Sequence, residues 1–334
     1  MNPFVFIILD RYLICDMVST LENDYYTIAF YNLENLFDTF DDAYTNDDEF
    51  LPDSERHWTE KRYHKKIRKL GQVISQIGEK TSGKVPVIVG LAEVENRLVV
   101  EDLINLSSLK DNAYGLVHYD SPDERGIDVA LIYNMKHFEV THSEVFAINL
   151  FDDDGTRDYT RDILLVEGLL NDEKIYVLVN HWPSRREGVE LTEPARLIAS
   201  SKAIEIIDTI RTKDKHAKIV VMGDFNDNPK NKSITDLVES QDLYNPMSNL
   251  PTYTRGSLNH RKEWNLFDQI LFTTNFFEYG EGKHSFSQVN IFDKDFLKQY
   301  KGKYKGSPFR TYIGYKYKGG FSDHFPVYLH LKKQ

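Results

Sequence analysis

Polar side chains collect where the apolar runs of this chain end. IAFYNLEN closes on Asn32, Glu34 and Asn35, VPVIVGLAEVEN on Glu93 and Glu95, and IYVLVNHWPSR on Asn180 and His181 followed by Trp182 and Arg185. KIVVMGDFNDNP closes on Asp224, Asn226, Asp227 and Asn228, and GGFSDHFPVYLHL places Ser322, Asp323 and His324 just ahead of its strand. Any one of these is an ordinary turn former or helix cap. Brought together they are costly, because carboxylates and imidazoles withdrawn from water need a cation or a substrate to compensate them. Carboxylate and Asn oxygens are hard donors suited to Mg²⁺ or Mn²⁺, ions that keep several waters and bind phosphate oxygens. The lone Cys15 excludes a cysteine-based zinc site and an internal disulfide, and no HExxH string is present. Phosphoester hydrolysis needs a positioned water, a base for it, and hydrogen-bond donors or positive charge on the phosphoryl oxygens. Asp, Asn, His and a carboxylate-held metal supply those parts.

These residues must be carried by strands, since α/β proteins place chemistry at the carboxyl ends of strands. Residues 26–31 form a β-rich run, and 85–91 (VPVIVGL) is the continuous apolar run of a strand buried on both faces. Further strands are expected at 127–133, 138–148, 163–169, 175–180, 219–223, 267–272 and 326–331. Residues 60–77 read as a helix, with Ile67, Leu70, Val73, Ile74 and Ile77 at spacings of three and four and Thr59 as N-cap. A second long helix is expected at 193–211, with Leu197, Ala203, Ile204, Ile207 and Ile210 on its buried side. No repeat, low-complexity tract or Pro/Gly-rich linker divides the chain, so the pattern predicts one α/β domain over 24–334 in which packed sheets carry flanking helices.

The chain has 334 residues, with 41 Lys plus Arg against 52 Asp plus Glu and a formal charge of −11. Apolar residues at 41% supply a core and exclude disorder as the dominant state. The acidic excess weighs against tight, sequence-blind duplex binding unless basic residues share one face. Residues 38–53 are rich in Asp but lack the alternation, Gly and terminal Glu of an EF-hand loop, and read as a solvated surface loop. The basic run 61–69 reads as the wet face of the first helix. Residues 301–318 interleave Lys and Arg, including Arg310, with Tyr and Phe, a composition that either neutralises phosphate and stacks on bases or forms a solvated loop. The apolar run 4–9 is too short for a membrane span, and residues 1–23 are expected to be a tail or a start assigned upstream of Met17. A cytoplasmic monomer without a membrane span is expected, with secretion the lesser alternative.

Across nearly the whole chain after Asp24, the sequence resembles the endonuclease/exonuclease/phosphatase superfamily, which includes deoxyribonuclease I. The resemblance rests on YNLEN (31–35), Glu93 in GLAEVEN, NHWPSR (180–185), GDFND (223–227), Asp268 in LFDQIL and SDHFPV (322–327). It implies a four-layer α/β sandwich with two mixed β-sheets packed face to face and helices outside. It also implies Asn32, Glu93, Asp323 and, beside them, Glu34 as metal-site residues. Asp224 would orient or deprotonate the attacking water, Asn226 would hold the phosphate or a metal-bound water, and His324, oriented by Asp268, would donate to the phosphoryl oxygen. His181 would be a further phosphate donor or leaving-group acid. Trp182, Arg185, Arg125, Arg161 and Arg310 are candidate substrate contacts. The expected activity is that of a Mg²⁺- or Mn²⁺-dependent phosphodiesterase cleaving DNA or RNA; a phosphatase or phosphodiesterase for a small or lipid phosphoester, and a binding protein that keeps only the scaffold, remain the alternatives.

Overall fold

A computed structural model describes residues 24–250 and 253–334, so the expectations for residues 1–23 lie outside the described residues. Two six-stranded mixed sheets carry the fold. In the first, the spatial order is His284–Ile291, Val327–Lys333, Tyr25–Leu36, Ile88–Val94, Asp128–Asn134 and Tyr114–His118. In the second it is Leu243–Tyr244, Asp268–Thr273, Ile219–Asp224, Glu173–His181, Ile163–Leu170 and Phe138–Phe146. Tyr25–Leu36 runs parallel to Ile88–Val94, and Glu173–His181 runs parallel to Ile219–Asp224. A parallel pair needs a crossover, and the two long helices anticipated from periodicity lie in those crossovers, at Glu60–Ile74 and Val189–Lys213. Thr59 stands at the N-cap of the first, although its side chain makes no capping bond.

Strand alternation divides each inner strand between two hydrophobic layers. Val177, Val179, Val220, Met222, Ile270 and Phe272 join Ile28, Phe30, Ile88 and Leu131 in the core between the sheets. Their sequence neighbours Tyr176, Leu178, Ile219, Val221 and Leu271 pack instead with Ala199, Ala203, Ile206, Ile207 and Ile210 of the helix Val189–Lys213. The period-2 geometry of a strand makes this division automatic. The sheets approach so closely at Gly90 that a Cβ there would sit 2.6 Å from Met222 Sδ. With helices outside two face-to-face sheets, the four-layer α/β sandwich is the observed architecture.

Several elements depart from the pattern read in the sequence. The first strand continues past residue 31 to Leu36, and the helix Val189–Lys213 begins before residue 193 and takes Pro194 into its body. Leu197 and Ile204 are only partly covered, whereas Arg196 and Ser200 are buried. The edge strand His284–Ile291 and the short helices Arg97–Asn105 and Lys232–Ser240 were not anticipated. HSFSQVNI is mostly polar because an edge strand is covered on only part of its surface, which weakens the hydrophobic signal. The acidic loop 38–53 is largely exposed, with Asp38 and Asp47 turned inward.

Candidate active site

The second sheet assembles the first part of the site by register alone. Asp224 pairs with His181 on the parallel side and with Asp268 on the antiparallel side, so all three lie in one row across adjacent strand ends. Gly223 permits this closeness, because a Cβ there would lie 2.4 Å from the Asn180 carbonyl oxygen. From the first sheet, Asn32 reaches across and donates its Nδ2 to Asp224 Oδ2 at 3.0 Å and to Glu93 Oε1 at 3.4 Å. The SDH turn closes the group: Ser322 Oγ donates to the Asn32 carbonyl at 2.7 Å and accepts the His324 N–H at 3.0 Å. His324 Nδ1 then lies 2.6 Å from Asp268 Oδ2, with its Nε2 3.8 Å from Asp224 Oδ2. His181 Nε2 approaches the same Asp224 oxygen at 3.9 Å.

Four non-glycine residues of the site adopt left-handed backbone. Glu34, Asn35, Glu93 and Asn226 all have φ between 51° and 59°, the left-handed region that costs a non-glycine residue about 1–3 kcal/mol. These conformations occur where the first strand's register shifts past Asn32 and where the second shifts past Ala92, turning Glu34 and Glu93 out of the strand alternation. Asn226 follows Phe225 in the turn after Asp224; its N–H donates to Asp224 Oδ1 at 3.0 Å and its Nδ2 to the Trp182 carbonyl at 2.9 Å.

Burial and mutual charge give these groups distinct protonation behaviour. Asp224 is pushed up to about 7, first by burial and then by repulsion from Asp268, against the pull of His324. Burial alone would lower His324, but Asp268 and Asp224 outweigh it and hold the ring well above its ordinary value. His181 is driven well below its ordinary value by burial and by Arg161 and Arg125, and is therefore neutral at neutral pH. Glu34 is raised by burial and by Asp323. Asp323 is lowered, because Arg310, His324 and Lys66 overcome its burial.

A divalent ion is tested here by the donors present. Asn32, Glu34, Glu93 and Asp323 offer oxygens at the junction of the two sheets. Glu93 accepts the Asn35 N–H at 2.8 Å yet forms no ion pair among the described residues. Arg310 lies between Glu34 and Asp323, at 3.3 Å from one and 2.8 Å from the other. A carboxylate without a cation, set among hard oxygens, fits Mg²⁺ or Mn²⁺. The tighter groups among the described residues are Asp224, Asp268 and His324 at this site and, elsewhere, His118, Asp120 and Asp128.

Not every residue singled out in the sequence faces this cleft. Trp182 is not a surface for a substrate base: it is fully buried, packed edge-on against Phe225 with centroids 4.7 Å apart, and its Nε1 donates to Asn180 Oδ1 at 3.0 Å. Arg185 is committed to Asp227, Asn231 Oδ1 and the Asn226 carbonyl. Arg161 is buried between Asp123 and the Trp182 carbonyl, each at 2.9 Å. Both arginines hold the loops that carry Asn226 and His181. Arg125 donates to Asn35 Oδ1 at 2.7 Å, near the end of the strand Tyr25–Leu36. Lys66 was missed. It belongs to the basic run expected to face water, yet it is buried and donates to the Glu34 carbonyl and, at 2.8 Å, to Thr311 Oγ1. Its place on the apolar stripe one residue before Ile67 was the available signal.

The comparisons with known proteins agree with this fold. A profile of the endonuclease/exonuclease/phosphatase family matches residues 27–333. No curated protein matches the sequence. Among solved structures, an endonuclease/exonuclease/phosphatase family protein from Bacteroides thetaiotaomicron superposes with a TM-score of 0.59 at 15% identity, covering 93% of this chain and 95% of that one. A mannosyl-6-phosphatase from the same organism gives 0.58 at 15%, covering 92% and 99%. D. rerio TDP2 complexed with a single-strand DNA product gives 0.55 at 12%, also covering 92% and 99%. The structural likeness concerns the fold, while the profile match spans every strand end described above. By that match, the chain belongs to the endonuclease/exonuclease/phosphatase family.

Proposed function

We propose that this member of a phosphoester hydrolase family is a divalent-metal-dependent phosphodiesterase that cleaves nucleic acid strands by in-line attack of water. The observation that carries the chemistry is the row His181, Asp224 and Asp268 with His324 closed over it. Asp224, with its carboxyl raised to about 7, is poised to orient the water and take its proton near neutral pH. His324 is held protonated by Asp268 and Asp224 and donates to a phosphoryl oxygen as negative charge grows there. His181 is neutral and adds a hydrogen bond rather than a proton. Asn32 joins the halves of the site by binding Asp224 and Glu93 at once. Asn32, Glu34, Glu93 and Asp323 would hold Mg²⁺ or Mn²⁺, which when bound supplies Lewis-acid polarisation of the phosphoryl group. Asn226 and the arginines 125, 161 and 185 then act as the frame, and Arg310, paired with Glu34 and Asp323, adds a cation beside the metal-site oxygens.

The test uses bis-p-nitrophenyl phosphate, p-nitrophenyl phosphate and oligonucleotides with Mg²⁺ or Mn²⁺. The diester and the oligonucleotides are expected to turn over only with metal, and Asp224→Asn or His324→Gln to lower kcat by about 10²–10⁴-fold. Independently of turnover, Mg²⁺ is expected to raise Tm in the wild type and not in Glu93→Gln. Exclusive turnover of the monoester would assign a phosphatase instead. Absence of hydrolysis of all three substrates would count against an enzyme of this kind.

A further inference from the structure

A cavity of about 570 Å³ opens beside the reaction centre, and its near wall is Glu34, Asn35, Arg310 and Asp323. The tip of the hairpin Leu258–His260 and Glu263–Asn265 and the segment around Lys303 and Tyr304 also line it. Such a volume lies in the range of sites for whole small ligands and far exceeds what one phosphate group needs.

Part of the positive charge in the lining has no carboxylate partner among the described residues. Arg56 in the lining is paired with Glu49, and Arg310 with Glu34 and Asp323, but Arg261, Lys262 and Lys303 take part in no ion pair among the described residues. Among the described residues of the lining, the carboxylates are Glu34 and Asp323. The hairpin tip is also built against local preference. A two-residue hairpin turn of type I′ needs φ > 0 at both positions, which Asn-Gly supplies without strain. Here Arg261 and Lys262 occupy them, at φ 51° and 76°. Two bulky cations thus sit where uncharged residues would be more stable, and they border the cavity.

The hairpin is fastened to the catalytic residues. Leu258 bridges to His324, Asn228 Nδ2 donates to Asn265 Oδ1 at 2.9 Å, and the Leu266 N–H donates to Asn228 Oδ1 at 2.7 Å. From Leu258, which bridges to His324, to the tip is roughly 10 Å of extended chain. Tyr304, with 42% of its surface exposed and Lys303 Nζ 5.5 Å from its ring centre, adds an aromatic face to the lining.

We infer that this cavity binds a second, non-reacting phosphate of a nucleic acid strand whose scissile phosphate lies at Asp224 and His324, through Arg261, Lys262 and Lys303. This assignment rests on the phosphodiesterase reading and deepens it: the substrate class is a strand with phosphates on both sides of the reaction centre's cation rim. A basic wall of this kind also explains how a chain of charge −11 can hold a polyanion.

The experiment reads binding without turnover. A fluorescein-labelled hexathymidylate is titrated with full-length protein in EDTA, and anisotropy is followed at several KCl concentrations, for the wild type, Lys303→Ala and the double variant Arg261→Asn/Lys262→Gly. The double variant keeps the turn with its preferred residues, so its Tm is expected to equal or exceed that of the wild type. Its Kd is expected to rise at least tenfold at low salt, and the slope of log Kd against log[KCl] to fall by about 0.7 for each phosphate no longer neutralised. Lys303→Ala is expected to lower the slope by about one such step. Unchanged Kd and slope in both variants, or no binding by the wild type, would overturn the inference. Equal competition by inorganic phosphate at the concentration of the oligonucleotide would assign the cavity to a small phosphoester and overturn it as well. Failure of the phosphodiesterase reading is recognised separately, by absent hydrolysis of bis-p-nitrophenyl phosphate by the wild type.

Discussion

The imidazole of His324 and the carboxylate of Asp268 meet at 2.6 Å, although one comes from a turn of the first sheet and the other from a central strand of the second. Asp268 is fully buried, and its Oδ1 has no hydrogen-bond partner among the described residues, so its principal contact is this ring. Asp268→Asn keeps the shape and removes the charge that favours imidazolium. We expect kcat on bis-p-nitrophenyl phosphate to fall about 10²–10⁴-fold with a smaller change in KM. Full activity in this variant would separate Asp268 from catalysis.

Asp227 organises the frame behind the site. It accepts hydrogen bonds from the Arg185 guanidinium and, at 2.5 Å, from Ser233 Oγ, and it forms an ion pair with Arg196 Nε at 2.9 Å. Arg196 is completely buried. Asp227→Ala leaves that charge without its partner and is expected to cost about 3–5 kcal/mol. Thermal denaturation is expected to show that Arg196→Met in the Asp227→Ala background recovers part of the loss, because it removes the stranded cation.

Lys66 ties the strand end at Glu34 to Thr311, next to Arg310. Burial lowers its pKa, and Glu34 opposes that effect by favouring the charged form. Lys66→Met removes both hydrogen bonds and is expected to destabilise the protein by about 1–3 kcal/mol. Because Glu34 then loses one of its compensating charges, the Mg²⁺ dependence of Tm is expected to change as well. Lys66→Arg is not expected to restore wild-type behaviour, since a planar guanidinium does not fill the place of a compact ammonium.

Far from the cleft, Glu173 governs acid stability. Burial would raise its pKa, but hydrogen bonds from the His284 ring and N–H and from Lys218 bring it down to about 2, against 4.5 for a free side chain. A depressed folded pKa contributes stability that is complete above the unfolded value and is lost as pH falls from 4.5 toward 2. Glu173→Gln is therefore expected to be less stable than the wild type at pH 7, with the difference shrinking across that window. Denaturant titrations at stepped pH measure this; a constant difference from pH 7 to pH 2 would contradict it.

Read alone, the chain specified the ends of the strands and what stands on them. Apolar runs closing on Asn32, Glu93, His181 and Asp224, and the SDH turn that opens the last strand at His324, are local features, written in hydrophobic pattern and residue type, so they were legible in the sequence. The crossovers were legible too, because the periodic helices lie between strands that must run parallel. Tertiary structure settled whatever depends on neighbours distant in sequence. Pairing register placed Asp268 opposite Asp224, and packing of the helix behind the second sheet enclosed Trp182. Packing of the first helix against the strand end at Glu34 and against Thr311 made Lys66 an interior cation rather than one of a wet face. Arg261 and Lys262 carry no turn signal, and only hairpin closure forces them into left-handed backbone at the cavity rim. Side-chain type and local period reside in the sequence, whereas burial, register and the partner of a charge are set by which distant surfaces meet.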